Sequence, residues 1–395
     1  MSKCVLFSKC YSRWHPFLIS YLEAVFENIE VVYINSFFKS VNLTFSNSFW
    51  IDHLLEEYSL HDVDYAIFDL EFSLLLSPSD INNICLKLDC ISFGMGMDDD
   101  RFHDINRKIY HFVDAMLTFP LSVERYKLIG IRAIDFFPSF ELMRGEPERG
   151  GHRVKDIDVL FFGLLKGERK KVVDYLLEKK INVFHPDFST SDEELKEMIG
   201  RAKIVLNLSS GSPVSSNLKQ FLPFSSVIET EYPVWQLKSR VFEVGALGVL
   251  CVSDDFAGYH LSFPMGELPI AKNKEDLFFL INELLLNEEK FKLAEENFVN
   301  IFSERYSLEN RVKYFKQACK DCSKQKRIRK GGARNFDLIE AYSLAVKMVY
   351  MRSLMPLYNT IHSNMKIGSK LKTILLSLTT LVKILFNYLW IKISK

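Results

Sequence analysis

The stretch "IDVLFFGLLKGERKKVVDYLLEKKINVFH", residues 157–185, reads as strand, helix, strand. The apolar run 157–163 is long enough for a strand buried on both faces. "ERKKVVDYLLEKK" reads as a helix, and "INVFH" (181–185) as the next strand. Directly before it lies "ELMRGEPERGGHRVKD" (141–156), polar and rich in glycine, with a proline, which marks a linker. The stretch is therefore a restart, because the first 140 residues already alternate in the same way. Short apolar runs fall at 4–8, 29–35, 64–70, 90–95, 114–119 and 133–139. Helical patterns such as "HPFLISYLEAVFEN" and "FWIDHLLEEYSL" separate them. After the restart, Ser191 and Glu194 form a capping box before "EELKEMIGRA". "KIVLNLS" (203–209) and "GVLCVS" (248–253) add strands, and 274–318 is almost all helix-forming. Alternation of this kind predicts parallel sheets covered by helices. The chain is thus expected to be α/β, with Rossmann-like domains at 1–140 and 157–320, a linker at 141–156 and a helical tail at 321–395.

Length and composition agree. At 395 residues the chain exceeds one ordinary core, and 48% hydrophobic with 25% charged residues suits globular domains. Seven scattered cysteines, and a first segment without a sustained apolar region before a cleavage site, predict a reducing, cytoplasmic location. The net charge of zero conceals an asymmetry: residues 323–395 hold fourteen Lys/Arg against two acids. In "KLKTILLSLTTLVKILFNYLWIKISK" the residues Lys370, Thr373, Ser377, Thr380, Lys383 and Asn387 form one polar stripe, and apolar residues cover most of the rest. A central lysine argues against a membrane span; an interfacial helix on an anionic membrane fits better. The expected partner of residues 324–395 is that membrane surface rather than nucleic acid, with packing on the body or on a second copy as the alternative.

The chemistry concentrates in "KSRVFEVGALGVLCVSDD", residues 238–255. It reads as a short helix ending at Gly248 and running into an apolar strand. Lys238 and Arg240 supply cations at the strand ends where open α/β sheets bind ligands, and helix N-termini there favour phosphate. Glu243 in the first turn can accept two hydrogen bonds from a ribose diol. Spacing alone leaves a plainer reading beside this one, in which Glu243 complements the helix dipole and the cations are solvated.

The succession "VLFFGLLKGERKKVVDYL", "AKIVLNLSSG", "KSRVFEVGALGVLCVSDDF" and "ERYSLENRV" resembles the second half of a GT-B-fold glycosyltransferase, similar to the CgeB-like, glycosyltransferase family 1-type group. Arg240, Phe242, Glu243, Ala246, Leu247 and Gly248 carry that pattern, with Tyr306, Ser307 and Arg311 later. "GMGMDDD" and "VDAMLTFPLSVERYKLIGIRAIDFFPSF" carry a looser likeness in the first half. The resemblance implies two domains facing a cleft, with a nucleotide-sugar donor on the second and a glycan or lipid-linked acceptor on the first. Glu243 would hold the ribose, and Arg240 and Lys238 the diphosphate. Gly163 and Arg169 would line the loop after the first donor-domain strand. No cofactor is implied, and no divalent metal if side chains supply the positive charge. Many retaining members carry an earlier glutamate at the position of Trp235, absent here.

His15, after the first strand, has the chemistry of a base for the acceptor hydroxyl, or of a simple turn residue. Asp98 and Asp99 of "MDDDRFHD" suit an acceptor pocket better than a metal site, since three acids at a helix start are explained by its dipole. His185 would lie on the donor side. Cys319 and Cys322 have no second pair at zinc spacing, and Gly94–Gly96 lacks a dinucleotide fingerprint. The rival reading is a non-catalytic two-domain scaffold whose basic tail binds membrane, nucleic acid or a partner.

Overall fold

A computed structural model of the chain describes residues 2–8, 15–40, 47–70, 76, 78–96, 109–137, 154–187, 190–209 and 237–324. The tail beyond Lys324, most of the linker, Asp98, Asp99 and Trp235 lie outside the described residues. Within them the alternation forms two parallel sheets. The first holds β1 (Lys3–Ser8), β2 (Asn28–Tyr33), β3 (Tyr65–Asp69), β4 (Ile91–Gly96), β5 (Ala115–Thr118) and β6 (Ala133–Asp135), in the order β2-β1-β3-β4-β5-β6. The second holds β7 (Ile157–Leu160), β8 (Val183–Phe184), β9 (Ala202–Asn207), β10 (Leu250–Asp254) and β11 (Ile270–Ala271), in the order β11-β10-β9-β7-β8. The two-residue β11 is the one strand that the hydrophobic pattern does not announce.

Both sheets follow one plan. The first strand of each is flanked by the second on one side and the third on the other, so the winding reverses between β1 and β3 and again between β7 and β9. Such reversals open a crevice at the carboxyl ends of the strands. The strands are apolar on both faces because helices cover both. Cys4 to Phe7 of β1, all of β4 and Ile204 to Asn207 of β9 are buried.

The first half carries α1 (His15–Val25), α2 (Ile34–Ser40), α3 (Asn47–Glu57), α4 (Pro78–Leu88) and α5 (Pro120–Leu128). α1 buries Phe17, Leu18, Tyr21, Leu22 and Val25, a single stripe at helical spacing. The second half carries α6 (Glu168–Glu178), α7 (Asp192–Arg201), α8 (Arg240–Ala246), α9 (Ala257–Ser262), α10 (Lys274–Leu286) and α11 (Glu288–Ile301). The capping box that opens α7 is fully made, Ser191 accepting from Glu194 N–H while the Glu194 carboxylate accepts from Ser191 N–H. α8 is a helix inside the protein, with all seven residues buried.

The chain then returns to the first sheet. A π-helical turn at Phe302–Tyr306 leads into α12 (Leu308–Ser323), which packs on α1. Phe315 of α12 sits among Tyr21, Phe26, Phe93 and Phe136, with ring centroids 5.0–6.3 Å apart. Burying such a ring contributes about 1.5–3 kcal/mol. Arg311, also buried, donates from Nε to Phe137 O (2.7 Å) and from Nη2 to Asp135 O (2.9 Å), and Tyr21 Oη donates to Arg311 O. Phe137 packs on Phe242 of α8, which joins the halves a second time. Cys319 and Cys322 are buried free thiols. Among the described residues, no helix is long and apolar enough to cross a membrane.

Candidate functional site

The winding reversal of the second sheet gathers most of the residues singled out above. β7 ends at Leu160, and Phe161 and Phe162 lead to Gly163, whose φ of +102° is a conformation that L side chains rarely adopt. A Cβ on Gly163 would stand 2.6 Å from Nη2 of Arg240. The bare backbone is therefore what admits the guanidinium. Arg240 reaches from the first turn of α8 to this loop, its guanidinium carbon 4.9 Å and 4.8 Å from the ring centroids of Phe161 and Phe162. Its Nη1 donates to Asn207 Oδ1 at 3.4 Å, and its buried Nε finds no partner among the described residues. Arg240 is 7% exposed, so the solvated alternative does not hold for it. Burial first, then the Arg169 charge, bring its pKa down to about 10, which leaves it cationic at neutral pH.

Arg169, on the first turn of α6, is buried as well and donates to Leu164 O at 3.5 Å. Two guanidinium groups thus repel one another in a weakly solvated crevice, an arrangement that gains from an anion between them. His185, just past β8, donates from Nε2 to Gly163 O (2.9 Å) and stacks on Phe161, the rings 5.7 Å apart at 20°. It braces the loop from the end of β8. Glu243 lies one turn beyond Arg240, buried, with Oε1 accepting from Ser239 Oγ at 2.8 Å. Arg240 is the first residue of α8, and α8 makes only two turns, so side chains and not a long helix dipole supply the positive charge. Lys238 meets the cluster through its backbone N–H, which donates to Tyr259 Oη at 3.1 Å.

Several residues here escape sequence reading. Asn207, at the end of β9 and fully buried, donates to Ser253 Oγ (2.8 Å) and Tyr259 Oη (2.7 Å) while holding Arg240. Asp254 ends β10, and both its oxygens accept from Ser209 N–H at 2.9 Å. Burial raises the Asp254 pKa; the Ser209 hydrogen bonds, Arg169 and Arg240 oppose that. The signal lies in "LNLSSG" and "CVSDD", where polar residues close apolar strands.

The first sheet has a matching polar group at its own reversal. Ser8 ends β1 and donates to Asp69 Oδ2 at the end of β3 (2.7 Å). His15, the first residue of α1, has Nε2 2.8 Å from Ser8 Oγ and 3.7 Å from Asp69 Oδ2. With the serine proton given to Asp69, the His15 Nε2–H is the donor to Ser8. Neither Ser8 nor Asp69 is prominent in the sequence.

Residues 169–317 match a family model described as glycosyl transferase-like. No curated protein sequence matches the chain. Among solved structures, sucrose-phosphate synthase from Thermosynechococcus elongatus is similar at 8% identity and a TM-score of 0.52, covering 82% of this chain and 100% of its own. Anabaena HepE in complex with UDP and glucose is similar at 11% identity and a TM-score of 0.54, covering 81% of this chain and 100% of its own. A UDP-forming α,α-trehalose-phosphate synthase from Burkholderia xenovorans gives 8% identity and a TM-score of 0.52, covering 82% of this chain and 100% of its own. At such identities the likeness speaks for the fold. The chain has the two-sheet GT-B fold of glycosyltransferases, and its residues 169–317 carry the sequence pattern of the glycosyl transferase-like family.

Proposed function

We propose that the protein transfers a sugar from a nucleoside-diphosphate donor, with UDP as the first nucleotide to test, to a glycan or lipid-linked acceptor at a membrane surface. The observation that carries this reading is the pair of buried arginines, Arg169 and Arg240, at the winding reversal of the second sheet. In this reading they hold the diphosphate, and Glu243, fixed by Ser239, accepts from the ribose diol. Transfer breaks the bond between the sugar C1 and the phosphate oxygen, and a bond forms between C1 and the acceptor oxygen. Negative charge develops on the departing diphosphate, where two fixed cations stabilise it without reorganisation. The acceptor proton goes to His15, with Asp69 as counter-charge to the imidazolium. What supports this role is the matching position of the Ser8–His15–Asp69 group in the first sheet. The UDP found in HepE, and the basic segment 324–395, support the choice of nucleotide and the membrane location respectively.

The test is release of UDP from UDP-sugars, with and without short glycans. His15→Gln should lower kcat by roughly a hundredfold or more, as loss of a general base does, with UDP affinity unchanged. Turnover unaffected by His15→Gln contradicts the assignment of the base. A chain that binds UDP but releases none from any UDP-sugar supports the scaffold reading.

A further inference from the structure

The arginine pair is not alone in its crevice. Asp254 closes β10 one residue after Ser253, which pairs in register with Asn207, the residue that holds Arg240. Its carboxylate shares a single backbone donor, Ser209 N–H, between both oxygens, with Ser253 Oγ more distant at 3.5 Å. That clamp fixes the carboxylate in place at the end of β10. Its electrostatic neighbours are Arg169 on α6, Arg240 on α8, Cys251 on β10 and Tyr259 on α9, and Glu243 acts on Arg240 from the same helix. Glu243 differs, since its oxygen is engaged by the Ser239 hydroxyl and its proposed partner is a sugar diol rather than a phosphate.

A phosphate site built only for affinity has no use for such a group. We propose that Asp254 sets an upper limit on diphosphate affinity: its carboxylate offsets the repulsion between Arg169 and Arg240 while the site is empty, and repels the diphosphate once it is filled. This rests on the donor reading above. A transferase must discard a nucleoside diphosphate after every cycle, and product release sets many turnover rates. Two buried guanidinium groups facing a diphosphate with no opposing charge would hold that product tightly. A fixed carboxylate beside them weakens ground-state product binding, yet leaves both cations available as charge develops on the leaving group.

Asp254→Asn removes the charge, keeps the shape, and leaves an oxygen to accept from Ser209 N–H. UDP and uridine are titrated calorimetrically into wild type and variant, and UDP dissociation is timed by stopped flow. Removal of one nearby like charge should tighten UDP binding roughly tenfold, with a matching fall in the dissociation rate. Uridine, which carries the same base and sugar without phosphate, should bind equally to both. Asp254→Ser, a second neutral variant, should move in the same direction if the amide disturbs folding. UDP binding that is unchanged or weaker in both variants overturns the inference. So does a change shared by UDP and uridine, since that marks a structural role. A wild type that binds no UDP overturns the UDP-donor reading, and the inference falls with it.

Discussion

Arg240 is held where a cation gains little from the protein alone. Its guanidinium is desolvated, faces Arg169, and rests on two phenylalanine rings and one carboxamide oxygen. Cation–π contact contributes about 0.5–2 kcal/mol per ring and does not match the hydration lost. The contact with Gly163 gives the sharpest residue-scale consequence. Gly163→Ala forces a side chain into a φ of +102° and into Nη2 of Arg240. It should cost about 1–3 kcal/mol of stability by urea denaturation and weaken UDP binding at least tenfold by calorimetry. Full retention of UDP affinity would show that Arg240 does not need its present position. As candidates, Gly163 and Arg169 are legible through the family resemblance, and Arg240 and Glu243 through the charges at the start of a short helix. Asn207, Asp254 and Tyr259 are not legible, because their roles arise from the β9–β10 register and from contacts spanning about fifty residues.

Elements were easier to read than contacts. Most strand positions follow from apolar runs, since a strand covered by helices on both faces must be continuously apolar. α8 stops at Ala246 because a left-handed residue follows two positions on: Gly248 has φ of +70°, and the N–H groups of Gly248 and Val249 return to Gly245 and Val244. The destination of α12 was not legible. Its helical period predicts an apolar stripe, but periodicity names no partner, and only the structure shows that Phe315 and Arg311 return to the first sheet. Arg311→Met should therefore lower stability by about 2–4 kcal/mol in urea denaturation, because Phe137 O and the Asp135 carboxylate lose their donor. A loss below about 1 kcal/mol would mean that the aromatic cluster alone holds α12.

At the scale of the whole molecule, the two halves share one winding plan and differ in charge from the basic segment that follows. Each reversal carries a polar cluster, and the contacts that join the halves include Phe137 on Phe242, α12 on α1 and α9 on α5. The membrane proposal belongs to this scale. A chain ending at Lys324 should keep its UDP affinity and lose binding to vesicles rich in phosphatidylserine in a co-sedimentation assay, with wild-type binding weakened by salt. Equal vesicle binding by both forms would remove residues 325–395 from the account. The central claim, that the crevice around Arg240 is a diphosphate site, is tested most directly by calorimetric titration of UDP, GDP, CDP, dTDP and ADP into wild type and Arg240→Gln. One diphosphate should bind the wild type, and the substitution should weaken it tenfold or more, as loss of a charge-assisted hydrogen bond does. Absence of binding by all five at millimolar concentration, or equal binding by both proteins, would contradict it.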